Sequence, residues 1–139
     1  MNDFQASLQA SVPANWATKE QITLLAPDGA ANVIASVEPL NDSMQTEEYA
    51  RLQGDLLRRD FPGYEELDFR EIRLVNGRDC LQRTFSWHPA DADPVTQVQL
   101  YFASGGRGYT ATATATSTHF PELKLQLGEI LSSLVFGGK

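Results

Sequence analysis

Few side chains in this 139-residue chain have types and spacing suited to covalent chemistry. The two histidines, His88 and His119, stand far apart, and neither has a second histidine at i+3 or i+4 to complete a local metal pair. Ser, His and Asp are all present, but no Gly-x-Ser-x-Gly elbow or cysteine–histidine signature assembles a nucleophile. Cys80 is the sole cysteine, which excludes an intramolecular disulfide and suits a buried, inert thiol. Glu65, Glu66, Asp68 and Glu71 cluster on one stretch, with Glu66 and Asp68 on one strand face. Such carboxylates serve acid–base or metal chemistry, and they equally serve to blunt an exposed strand edge. Ser104-Gly-Gly-Arg-Gly108 has the glycines of an anion loop but joins two strands, where a phosphate loop joins a strand to a helix. A catalytic set is therefore not legible, and no metal or cofactor is expected.

The remaining signal is one of surfaces. From Tyr109 to Ser117 threonine and alanine alternate without interruption, a period of two that marks a strand. Ala111, Ala113 and Ala115 would let a helix pack closely on one side. Thr110, Thr112, Thr114 and Thr116 leave a shallow hydroxyl-lined relief on the other.

The elements around this strand follow from pattern and punctuation. Phe4, Ala6, Leu8, Ala10 and Val12 alternate up to Pro13 and predict a first strand, with Trp16 just beyond. Gln21–Ala26 and Asn32–Glu38 flank Pro27-Asp28-Gly29 and predict a hairpin. Asn41-Asp42-Ser43 offers helix caps, Glu47 and Glu48 suit the positive end of a helix dipole, and Tyr49, Leu52 and Leu56 recur at helical spacing until Phe61-Pro62-Gly63. Two strands, about 64–75 and 78–88, meet at Asn76-Gly77, whose residues both tolerate positive φ. Residues 95–103 and 109–117 form the last hairpin. A helix from Pro121 carries Leu123, Leu127, Ile130, Leu131 and Leu134 as a stripe before Gly137-Gly138. The predicted order is βββαββββα, an α+β domain over residues 1–139 with a single antiparallel sheet and two helices packed on one face.

Composition narrows function further. With 42% hydrophobic and 21% charged residues, the chain suits one globular domain. A net charge of −7 with dispersed bases disfavours nucleic-acid binding. No window approaches the ~18 apolar residues of a membrane span, and the N-terminal residues lack the basic and apolar regions of a signal peptide. A cytoplasmic protein without stable membrane insertion is expected.

Polar residues at positions that ought to be apolar point to binding. If Val33, Ala35 and Val37 face the helices, Asn32, Ile34 and Ser36 face the other way, and Ile22 and Leu24 are expected to do likewise. Val98, Leu100 and Phe102 take the core, which leaves Gln97, Gln99 and Tyr101 with the threonine rows. Gln53, at i+4 from Tyr49, puts an amide on the edge of an apolar helix stripe. The expected open face combines apolar contacts with amides able to bond a peptide backbone.

The frame Val12-Pro13-x-x-Trp16, Asn32-Val-Ile-Ala-Ser36, Glu48-Tyr49 leading to Phe61-Pro-Gly-Tyr64, Phe85-Ser-Trp87, Gln97-Val-Gln-Leu-Tyr-Phe102 and the threonine-rich strand resembles DcrB-like proteins of the Mog1/PsbP-like fold. Within that group it looks most like the Eag chaperones, which accompany type VI secretion effectors and shield their N-terminal transmembrane helices. The resemblance implies a homodimer whose curved sheets cradle apolar helices. Ile22 and Leu24 would match apolar groove residues. Ser36 would match a small hydroxyl residue, with Asn32 replacing a second one by an amide. Gln53 and Gln99 would match glutamines at the rim and on the late hairpin. Two other readings stand beside this one: a non-enzymatic binding or scaffold protein of the same fold serving the cell envelope, and an NTF2-like small-molecule enzyme. The enzyme should carry a buried Asp or His in its cavity, and the open face has none at its centre.

Overall fold

The computed structural model describes residues 2–41 and 43–137. Its order is β1 (Glu20–Leu25), β2 (Ala31–Pro39), α1 (Thr46–Asp60), β3 (Glu65–Arg73), β4 (Asp79–Trp87), β5 (Val95–Ser104), β6 (Arg107–Thr116) and α2 (Phe120–Ser132). The strands make one antiparallel sheet ordered β1-β2-β6-β5-β4-β3. The α+β class and the single antiparallel sheet are as expected, with strand bounds within a few residues of those predicted. The first expected strand is absent: residues 2–13 have no regular structure, and Phe4, Leu8 and Val12 are exposed. Their alternation is a strand pattern, but a strand exists only when a neighbour accepts its hydrogen bonds, and β1 does not supply them here.

The turns behave as their residues dictate. Asp28 and Gly29 take positive φ between β1 and β2, and Gly77 takes it between β3 and β4. At the start of α1 the N-cap is Gln45, without a side-chain cap bond; Asn41 instead accepts from the Ser43 backbone N–H through Oδ1 at 3.0 Å. Asp42 and Gly138, expected in a cap and a stop, lie outside the described residues.

The helices sit on opposite faces of the sheet, which corrects the expectation of one shared face. Leu100 is buried with Ala111, Ala113, Ala115, Val33, Leu127 and Leu131, so α2 covers the alanine rows. The next residue on β5, Tyr101, points the other way and is buried with Tyr49 and Ala50 of α1. Period-two patterning assigns side chains to faces but leaves open which helix takes which face. The alanines admit α2 closely, whereas α1 needs clearances of another kind. A Cβ at Gly108 would stand 2.6 Å from both Leu40 Cδ1 and Tyr49 Cζ, and one at Gly54 would stand 2.6 Å from Arg83 Nη2. These two glycines let Tyr49 and Arg83 fit between α1 and the sheet.

Candidate functional site

The threonine face is only half covered. Helix α1 runs above β4 and β5: Thr46 Oγ1 accepts from the Ala103 N–H at 3.0 Å at one end, and Phe61 lies 4.2 Å from Trp87, centroid to centroid, at the other. Its two flanks differ. Arg58 reaches outward to Glu66 on β3 at 3.1 Å. Tyr49 reaches the opposite way, donating to Glu38 Oε2 on β2 at 3.2 Å. Leu52 and Leu56 follow Tyr49 at i+3 and i+7, so they lie on the same flank of α1 as Tyr49, the one turned toward β2. They are 38% and 42% exposed, and Ile34 on the floor opposite is 37% exposed. These three apolar side chains flank a trough whose floor is the hydroxyl and amide face of β2, β6 and β5.

That floor is tied together by its own polar groups. Gln99 Nε2 donates to Thr112 Oγ1 at 3.1 Å, and Tyr101 donates its hydroxyl to Gln99 Oε1. Arg83, only 3% exposed, donates to Tyr101 Oη at 2.7 Å, to the Ala50 carbonyl at 3.2 Å and to Glu66 Oε1 at 2.9 Å. A second row runs from Trp87 Nε1 to Gln97 Oε1 at 2.7 Å, and from Gln97 Nε2 to Thr114 Oγ1 at 2.7 Å. Ser36 and Thr110 share a hydrogen bond at 3.0 Å. Among the described residues no fully buried side-chain nitrogen or oxygen lacks a partner. Each floor glutamine spends one amide N–H and one acceptor site internally, which holds the other N–H in a fixed direction.

Electrostatics follow from the same contacts. Burial alone would raise the Glu66 carboxyl, but hydrogen bonds from Tyr64 and Arg83 and the nearby guanidinium charges outweigh it and hold it below the usual range. Burial pushes Tyr101 up to about 12 despite the opposing pull of Arg83. Burial next to Glu38 also raises Tyr49. These shifts keep Glu66 charged and both tyrosines neutral near neutral pH, in the forms that make the hydrogen bonds described.

The six residues expected to line a groove divide between the faces. Asn32, Ser36 and Gln99 lie on the threonine face, paired across the sheet with Thr114, Thr110 and Thr112. Gln53 is half-buried on the inner side of α1. Ile22 and Leu24 do not join them: β1 registers Ile22 with Ala35 and Leu24 with Val33, which puts both on the alanine face with α2. Parity within β1 was legible, but its cross-strand register depends on the geometry of the Pro27–Gly29 turn. The residues missed are Leu52 and Leu56. A helical stripe reads as a buried face, and here it is rotated so that Ala50, Gly54 and Leu57 meet the sheet instead.

Among the residues singled out for chemistry, Glu66, Asp68 and His119 have structural partners. A bulge at Leu67 puts Glu66 beside Phe85 and Asp68 beside Thr84, so the two carboxylates point to opposite faces rather than sharing one. Asp68 pairs with Arg70 at 3.2 Å. His119 Nδ1 is 2.7 Å from Thr116 Oγ1 at the entry to α2. Burial pushes the Cys80 thiol up to about 11, which disfavours its thiolate. Among the described residues no three His, Cys, Asp or Glu side chains converge on a metal position.

A six-stranded antiparallel sheet with these helices defines a PsbP-like α+β domain. It is similar to protein PA94 from Pseudomonas aeruginosa, described as a regulator candidate of unknown function, at 15% identity and a TM-score of 0.68 over 92% of this chain and 90% of that one. It is also similar to cyanobacterial PsbP from Synechocystis sp. PCC 6803, at 8% identity and a TM-score of 0.55 over 89% and 96%. LpqN, involved in cell envelope biogenesis of Mycobacterium tuberculosis, matches at 14% identity and a TM-score of 0.53 over 84% and 83%. The chain belongs to the DcrB family, whose pattern it matches over residues 9–133. No curated protein matches it significantly by sequence.

Proposed function

We propose that this protein is a non-enzymatic cytoplasmic chaperone whose half-open threonine face holds apolar helices of a client protein. Following the resemblance to Eag chaperones, the client is an effector of type VI secretion, and the bound helices are its N-terminal transmembrane segments. The observation that carries this reading is the trough itself, where Ile34, Leu52 and Leu56 remain exposed around an ordered floor of threonine and glutamine. An apolar helix in water gains about 25 cal/mol for each Å² it buries. The spare amide N–H groups of Gln97 and Gln99 add direction that a purely greasy surface would lack. Asn32, Ser36, Gln53 and Gln99 stay in the site, joined by Ile34, Leu52 and Leu56, whereas Ile22 and Leu24 leave it. The working unit is a homodimer that presents two such troughs.

Capture of an apolar helical peptide of about 20 residues, taken from the N-terminal region of a candidate effector, tests the reading. Ile34→Asp puts a charge against the helix and abolishes capture. Gln53→Ala weakens it by about 1 kcal/mol. Leu125→Asp, on the exposed side of α2, leaves it unchanged. Capture by Ile34→Asp equal to that of the parent protein would remove the trough as the binding site.

A further inference from the structure

Beside α2 the alanine face of the sheet carries open space as well. Ile22 of β1 and Ala35 and Val37 of β2 floor a cleft of about 810 Å³, which Val135 and Phe136 also line. The three floor side chains are half-buried, and Val135 is 57% exposed. Phe136 is buried and stacks its ring on Tyr109 at 5.3 Å between centroids, so the chain beyond α2 makes a packed wall. Clefts that hold small molecules span roughly 300–1,000 Å³.

The floor is graded in polarity. Along β2 the residues on this face are Ala35, Val37 and Pro39, and opposite them on β6 stand Ala111, Tyr109 and Arg107. The glycine-rich turn between β5 and β6 thus delivers a guanidinium to one end of an aliphatic surface. Among the described residues Arg107 and Glu20 are the only charged side chains that line the cleft. Arg107 is 53% exposed, and its pair with Glu20 spans 3.9 Å, too long for a hydrogen bond. So open a pair leaves the guanidinium available to a closer anion. A peptide laid over this floor would bring backbone N–H and C=O groups every ~3.3 Å, which aliphatic side chains cannot partner. An alkyl chain brings none.

We propose that this cleft binds a single-chain amphiphile with an anionic head, of the fatty-acid type. The chain lies over Ile22, Ala35 and Val37 against Phe136, and the head meets Arg107 at the far end, where Glu20, 76% exposed, turns into solvent. Apolar burial supplies the affinity, and the guanidinium fixes which end of the molecule lies where. The site is on the opposite sheet face from the trough, so the inference holds whatever the trough binds.

Titration of the full chain with decanoate, followed by NMR of the isotope-labelled protein, should saturate and shift the amides of residues 20–22, 35–37 and 107. Octanoate, two methylenes shorter, should bind about fifteenfold more weakly, which is about 0.8 kcal/mol for each buried CH₂. Arg107→Gln should weaken decanoate about fivefold, the upper end for an exposed ion pair, and leave binding of the neutral octan-1-ol unchanged. Val135→Asp, at an exposed position, should abolish saturation by both while the thermal melt stays within a few degrees of the parent's. Vesicles of phosphatidylglycerol, which offer an anionic head on two chains, should not displace decanoate. No saturation at millimolar decanoate, equal affinities for decanoate and octanoate, or an Arg107→Gln variant equal to the parent would each overturn the site. So would shifts confined to the trough around Ile34 and Leu52, or capture by the vesicles without decanoate binding.

Discussion

The two faces of this sheet are built on different principles, although they are made of the same strands. Under α2 the contacts are apolar and close: Ala111, Ala113 and Ala115 make a floor on which Leu127 and Leu131 settle, with Leu100 and Val33 between them. Under α1 the contacts depend on a buried guanidinium, tyrosine hydroxyls and two missing Cβ atoms. Beneath α2 itself the alanine face is filled, and its open space lies beside β1, where Ile22, Ala35 and Val37 line a cleft with Val135 and Phe136. On the polar face the cover ends at the flank of α1, and the rest of that face stays open with its hydrogen bonds directed by their neighbours.

Substitutions can break or sharpen this contrast. The largest loss is expected on the filled face, where Leu100→Ala removes a side chain with no exposed surface and costs about 2–5 kcal/mol. Chemical denaturation measures it, and a value under 1 kcal/mol would mean that the alanine face is looser than its burial implies. On the other face Gly108→Ala forces a methyl group against Tyr49 and Leu40, for a loss of about 1–3 kcal/mol. A stability equal to the parent's would show that α1 shifts without cost.

Smaller still is the effect of Glu66. Its carboxyl titrates lower in the folded chain than in the unfolded one. The stability it contributes is therefore complete above the ordinary carboxylate value of about 4.3 and is lost as pH falls through the folded value. Glu66→Gln should flatten the acid limb of a stability profile while leaving the alkaline limb alone; an unchanged acid limb would assign that limb to other carboxylates. Smallest of all, Ile34→Asp should alter folding stability by no more than about 0.5 kcal/mol, as befits a half-exposed site. A thermal melt displaced by ten degrees would show that the trough floor belongs to the core.

The contrast between the faces was partly legible from residue order. The threonine–alanine alternation of β6 and the apolar parity of Val98, Leu100 and Phe102 assigned both central strands correctly. What failed depends on distant partners. The facing of Ile22 and Leu24 depends on the β1–β2 register, and the place of α1 depends on Gly54 and Gly108, whose roles appear only when Arg83 and Tyr49 arrive from elsewhere in the chain. Phe4–Val12 has a strand's pattern without a strand's neighbour. Local periodicity describes what a segment can become, and pairing decides whether it does.

The place of β6 between β2 and β5 has a consequence in time. The pairs β3–β4 and β5–β6 are hairpins of close neighbours, but Ser36 meets Thr110 across 74 positions of chain. Closing so long a loop is entropically slow compared with zipping a hairpin. Ile34 and Ser36 come from one side of that seam and Thr110, Thr112 and Thr114 from the other. During synthesis the β1–β2 hairpin must wait for almost the entire chain before it can dock. The trough floor is therefore among the last surfaces of the molecule to form, complete only when the chain's own folding is all but finished.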